Sequence, residues 1–139
     1  DKIACTPTAW HRYLQRSGSV TNNKNAERNL EIIPAVDDLI DFYTGLGRGE
    51  ELAGVLEYMA FHHEFLTASV RVNLADRHSG AQDKLREDFL GKFPNYASNP
   101  YVRTMSRKHK LLAALLMHRQ YFAVHIIMKL NNRLKSKKV

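Results

Sequence analysis

From residue 30 onward apolar residues recur at intervals of three and four, the spacing of one face of a helix. Leu30, Ile33, Val36, Ile40 and Tyr43 form the first such row, with Glu31, Asp38 and Asp41 off it. Asn29 stands where an N-cap would, Pro34 is compatible with a helix that starts near it, and Gly45, Gly47 and Gly49 predict its end. Residues 50–75 predict the longest helix. Leu52, Leu56, Met59, Leu66, Val70 and Leu74 make its apolar stripe, and Glu50, Glu57, Glu64 and Arg71 recur every seven residues on a polar face. After a turn at 76–80, Leu85, Phe89 and Phe93 predict a helix over 81–93, which Pro94 stops. Residues 94–106, with two prolines, predict a loop. Residues 107–134 predict helix again, with apolar runs at 111–117 and 121–128 separated by His118, Arg119 and Gln120.

The first 29 residues differ. Residues 3–13 carry β-branched and aromatic residues and a Pro, an extended or edge pattern, and 14–29 have a loop composition. Such a segment has no partner strand later in the chain, so its backbone groups must find partners elsewhere. The predicted fold is mostly α: a small bundle of four or five helices with an extended N-terminal segment. At 139 residues the chain suits one domain. Its 44% hydrophobic and 25% charged residues exclude disorder throughout.

Charge changes the picture. Residues 1–100 hold 11 Lys or Arg against 14 Asp or Glu, whereas 101–139 hold 10 Lys or Arg and no acid. A field of that kind suits a polyanion, either nucleic acid or an anionic membrane surface. Residues 111–128 approach the length of a membrane span, but Arg119 lies at the centre, where a cation costs about 2.5–3.5 kcal/mol. Two short amphipathic helices lying on the surface fit better, with Arg107, Lys108, Lys110, Arg119, Lys129, Arg133, Lys135, Lys137 and Lys138 as membrane-surface cations. The bland alternative is that the apolar faces are core with a solvated basic rim; one face could serve each purpose. Nucleic-acid binding is disfavoured, because the cations bracket apolar runs rather than form one stripe.

Catalytic motifs are absent from the sequence. His62-His63-Glu64 begins like the HExxH zinc motif, but Thr67 stands at the second His position, and His63 shares the stripe of Leu56 and Leu66. A packed or partly buried histidine is expected there. The single cysteine, Cys5, excludes a disulfide framework within the chain; His11 is its nearest base in sequence, but an incidental thiol is the simpler reading. Asp37, Asp38 and Asp41 read as a solvated acidic face without a third metal ligand. No phosphate-binding glycine motif, nucleophile elbow or CxxC occurs, and no signal peptide opens the chain.

Four segments carry a family resemblance. WHRYLQRSGSV, residues 10–20, resembles the end of the catalytic domain of bacterial family 2 glycosyltransferases of capsule and wall polysaccharide synthesis, where an aromatic run precedes Arg-Gln-Arg-x-Gly-Ser-Ile. Gln15, Arg16, Gly18 and Ser19 match; Val20 replaces the Ile, Leu14 an Arg, and His11-Arg12 interrupt the aromatic run. NLEIIPAVDDLIDFYTGLG and LEYMAFHHEFLTASVRV are similar to the two helices that follow, and KFPNYASNPYV to a Phe-Pro-Asn-Trp-x-x-Asn element with Tyr96 in the Trp position.

The resemblance implies a GT-A type α/β nucleotide-sugar domain with an Asp-x-Asp metal site, and this chain contains no Asp-x-Asp. Residues 1–29 would then close an absent catalytic domain, and 30–139 would be a C-terminal helical domain; a start at Asp1 rather than Met accords with an excised piece. The implied parent enzyme passes a sugar from a nucleotide-sugar donor to a polysaccharide or lipid-linked acceptor. It works in the cytoplasm, peripheral to the inner face of the bacterial membrane. Its Mg or Mn would sit in the missing domain, with no cofactor held here and no catalytic residue or metal ligand in this chain. Arg16 would contact the donor diphosphate, with Gln15, Gly18 and Ser19 supporting the loop. The partners implied are the chain's own catalytic domain, the anionic membrane surface, and donor and acceptor through the whole enzyme. The rivals are a stand-alone basic helical module that binds nucleic acid and a structural protein-interaction domain.

Overall fold

A computed structural model describes residues 25–136. They form a helical bundle, with no strand among the described residues. A 3-10 turn, Glu27–Glu31, leads into α1, Ile32–Gly45. Helical structure therefore starts inside the expected loop, and Asn29 is not an N-cap: it lies within the turn, its Nδ2 donating to the Ala26 carbonyl at 3.2 Å. Pro34 falls in the first turn of α1, where its missing N–H costs little. At the other end Gly47, at φ +70°, takes the left-handed turn, and its N–H bonds to the Thr44 carbonyl at 2.9 Å.

The long central helix exists, but it is not uniformly α. α2 spans Gly49–Met59, a π-helical stretch runs Ala60–Thr67, and α3 spans Ala68–Asp76, with helical backbone at both junctions. Each π turn takes an extra residue, which rotates the following side chains relative to an ideal α-helix. The expected stripe is displaced only in part: its Leu56 and Leu66 are buried. Ala60, Phe61, Phe65, Ala68 and Val72 face inward, whereas His63 and Leu74 are exposed. Glu64, assigned by the seven-residue spacing to the polar face, is wholly buried.

α4, Ala81–Lys92, crosses the π stretch and α3. Phe61, Phe65, Phe89 and Tyr96 form the aromatic centre of the main core. Phe65 stacks on Phe89 at 5.4 Å between centroids, and Phe61 stacks on Tyr96 at 5.4 Å. Such pairs add about 0.5–1.5 kcal/mol each beyond the area they bury. A smaller cluster of Ala26, Ala68, Val72, Ala81 and Leu85 closes the far side.

The segment expected to be a loop, 94–106, holds a 3-10 turn at Tyr96–Ser98 and α5, Pro100–Thr104. Asn99 builds it. Its Oδ1 accepts from the N–H groups of Tyr101 at 2.9 Å and Val102 at 3.4 Å, while its Nδ2 donates to the Gly54 carbonyl at 2.8 Å and Glu57 Oε2 at 2.9 Å. One buried side chain thus caps α5 and ties it to α2. Pro100 occupies the first helical position, where its fixed φ is already helical. α6, Arg107–Met117, and α7, Tyr121–Ser136, complete the bundle and pack on each other. The expected break at 118–120 is present: Gln120 N–H bonds back to the Leu115 carbonyl at 2.8 Å, and Arg119 takes a left-handed φ of 56°. No helix among the described residues is long and apolar enough to cross a membrane.

Candidate functional site

α6 and α7 carry the basic surface. Ser106 caps α6, its Oγ accepting from the His109 N–H at 3.4 Å. Arg107, Lys108, His109 and Lys110 then crowd the first turn, all exposed. A helix N-terminus favours anions, so these cations sit there against the local field. Leu112 and Leu116 point into the core, but Leu111 is 54% exposed.

α7 divides more sharply. Val124 is wholly buried, while Phe122, Ile126 and Leu130 are 65%, 42% and 54% exposed. Spaced by four, those three lie along one outward line. Lys129 and Arg133 are exposed beside it. Lys108 Nζ donates to Asn131 Oδ1 at 3.2 Å, which joins the start of α6 to the later half of α7.

Arg119 behaves differently from the other expected surface cations. Its Nε lies 2.9 Å from Asp83 Oδ1 and its Nη2 3.1 Å from Glu87 Oε1, so two carboxylates of α4 balance its charge. Arg119, though exposed, thereby ties the α6–α7 turn to α4. The same corner is strongly tied. Tyr121 OH donates to Asp83 Oδ1 at 2.6 Å, Asn73 Nδ2 to the Tyr121 carbonyl at 2.8 Å, and Arg86 Nε to the Met117 carbonyl at 2.8 Å. Burial, and then the hydrogen bond to Asp83, push the Tyr121 phenol well above its ordinary range. Lys110, exposed on α6, donates its Nζ to the Arg103 carbonyl of α5 at 2.5 Å.

Arg16, Gln15, Gly18 and Ser19 lie outside the described residues, as do Cys5, His11, Lys137 and Lys138; Lys135 lies in α7. The histidines are brought together, though not as a stripe of packed core. His62 is half-buried and His63 exposed, with ring centroids 4.8 Å apart, and His109 lies 6.3 Å from His62. Burial, and then the neighbouring charges of His63 and His109, hold His62 below its usual range. Among the described residues no group of three His, Cys, Asp or Glu is placed to hold a metal ion.

The feature missed by sequence reasoning is a charge cluster around the buried Glu64, whose partners Lys92, Asp37 and Asp88 are part-exposed. Lys92 Nζ lies 2.5 Å from Asp37 Oδ1, 2.6 Å from Asp88 Oδ2 and 3.5 Å from Glu64 Oε2. Asp37 is therefore no part of a merely solvated face: it joins α1 to α4. Burial drives the Glu64 carboxyl up to about 8, and its hydrogen-bonding contact with Asp88 reinforces this against the pull of Lys92. Glu64 Oε1 has no hydrogen-bond partner among the described residues when read as a carboxylate. Burial and the neighbouring Asp88 both favour the protonated form of Glu64. Burial opposes the charge on Lys92, but its bonds to Asp37 and Asp88 outweigh that and raise the ammonium above its ordinary range. No element of the sequence pattern marks Glu64 as internal; only the π stretch does so.

No protein-family model, curated protein or solved structure matches the chain.

Proposed function

We propose that this chain is the C-terminal helical region of a bacterial family 2 glycosyltransferase, and that α6 and α7 set the enzyme against the anionic cytoplasmic face of the membrane. The observation that carries the docking role is the outward row Phe122, Ile126 and Leu130 on a helix whose charged residues are all cationic. An apolar row dips into the headgroup boundary while flanking Lys and Arg meet anionic lipid. The chain supports the enzyme reading through the ordered motifs of residues 10–20, 29–47, 56–72 and 92–102. In that enzyme a nucleotide-sugar donor, with a divalent metal, would occupy the separate catalytic domain. Arg16 would offer a guanidinium to the departing diphosphate.

Vesicle sedimentation tests the docking. The chain should partition onto anionic vesicles far more than neutral ones, and salt should weaken it. Removing residues 129–139 deletes five cations, each worth about 1 kcal/mol near an anionic surface, and should abolish most binding. Equal binding to neutral and anionic vesicles contradicts the electrostatic role. Tighter binding to duplex DNA than to vesicles at about 0.15 M salt favours a nucleic-acid module instead.

A further inference from the structure

Beside the core, α5, α6 and the 3-10 turn at Tyr96–Ser98 enclose an open cavity of about 280 Å³. Its floor is apolar: Phe61, Tyr96, Val102, Met105 and Ala113 line it. Its charged lining residues are two cations, Arg103 and Lys110, both exposed. Neither makes an ion pair with a carboxylate of the described residues. Arg103 Nε donates to the Ala97 carbonyl at 3.3 Å, and Lys110 Nζ to the carbonyl of Arg103 itself at 2.5 Å. These bonds place the two charges without neutralising them. No Asp or Glu follows Asp88 in the sequence, so α5 and α6 supply no acid of their own.

We propose that this cavity binds a lipid phosphate, a phosphomonoester carried on a hydrocarbon chain. The charge count selects the head: two unneutralised cations match a group that carries about −1.5 to −2 at neutral pH. The guanidinium offers a fork of donors to phosphate oxygens and the ammonium a mobile point charge. The floor selects the body, since Phe61, Met105 and the Ala113 methyl give a hydrocarbon chain apolar contact and offer it little polar competition. The volume lies just below the usual range for small-molecule pockets, about 300–1,000 Å³. It therefore holds the first several carbons, and the rest of a longer chain leaves through the open side. This site is distinct from the outward row on α7 and does not depend on that row meeting a bilayer.

Binding of decyl phosphate below its micelle concentration tests the proposal, followed by amide shifts of the intact chain. Inorganic phosphate, decyl maltoside and decanoate serve as comparison probes. Decyl phosphate should shift residues around Ala113 and bind at least tenfold more tightly than each of the others. The pair Arg103→Gln with Lys110→Gln should lower its affinity tenfold or more. Ala114→Leu fills the cavity from an exposed lining position and should do the same, with an unchanged thermal midpoint. Equal binding of inorganic phosphate would reduce the site to a surface anion contact and overturn the proposal. Equal binding of decyl maltoside or decanoate would overturn the phosphate selection. Unchanged affinity in folded Ala114→Leu would place the ligand elsewhere. Because no vesicle is present, failure here leaves the membrane docking of α7 standing, and success here does not establish it.

Discussion

Glu64→Gln retains the size of the buried side chain and removes its proton equilibrium. In the native chain the Glu64 carboxyl is held at about 8 against an ordinary value of 4.5. Between those values the folded protein keeps a proton that the unfolded chain has released. The native state then binds more protons, so stability falls as pH rises through the window. One group contributes at most about 1.4 kcal/mol per pH unit. From pH 5 to pH 8 the loss is therefore about 3–4 kcal/mol, a large share of the roughly 5–15 kcal/mol that holds a domain together. The amide variant lacks this slope, and its side-chain NH₂ can donate to Asp88 where the protonated acid did. The variant should match the native chain near pH 5 and exceed it by about 2–3 kcal/mol at pH 7. Urea unfolding at several pH values, followed by far-UV circular dichroism, measures the difference directly. Parallel stability profiles for the two proteins from pH 5 to pH 8 would show that Glu64 is already ionised in the fold. Lys92 would then be its counter-ion, and the argument from burial would be wrong.

Asn99→Ala should cost about 2–3 kcal/mol in urea unfolding, since it removes the cap on α5 and the bonds from the buried Asn99 amide to the Gly54 carbonyl and Glu57 of α2; an unchanged midpoint contradicts that role. Arg119→Gln should cost no more than about 1 kcal/mol, because both its ion pairs are exposed, and should leave vesicle binding intact; a large fall in binding would return Arg119 to the membrane face. In the proposed full-length glycosyltransferase, Arg16→Ala should lower kcat by roughly 10²–10³ without loss of fold, and Arg16→Lys should recover part of it. Near-normal turnover of a folded Arg16→Ala enzyme would make Arg16 an ordinary surface residue.

Periodicity located most of the helices because α1, α4, α6 and α7 each present one apolar face to one core, as with Val36, Leu85, Leu116 and Val124. It failed where a side chain overrode the local pattern. Residues 94–106 read as loop through their prolines, yet Pro100 is suited to a helix start and Asn99 supplies the cap. In the central rod, the seven-residue spacing of Glu50, Glu57, Glu64 and Arg71 presumes a constant turn. The π stretch breaks that presumption, so Glu64 goes inward and His63 outward. The proposed docking surface was partly legible, because runs of cations flanking apolar residues need no tertiary information. Which cations remain available did require it: Arg119 and Lys129 look alike in sequence, and only the fold brings Asp83 and Glu87 to the first of them.

The tethers on α7 are distributed unevenly, and their placement bears on how a helix could serve a core and the proposed membrane surface at once. Tyr121 is bound through both its hydroxyl and its carbonyl, the preceding Arg119 through two carboxylates, and His125 Nδ1 meets the Asn73 carbonyl at 3.2 Å. Val124 is wholly buried between these contacts. Toward the C-terminus the side chains open outward at Ile126, Lys129 and Leu130, with Lys108 reaching Asn131 across from α6. The first half of α7 is thereby an anchor, and a load applied to its later half passes into α3 and α4 rather than into the α6–α7 turn alone. An amphipathic helix held only by its apolar face would have to choose between core and lipid. Here polar bonds to Asp83 and Asn73 fix the inner side, which leaves the apolar residues of the outer side available for a second surface.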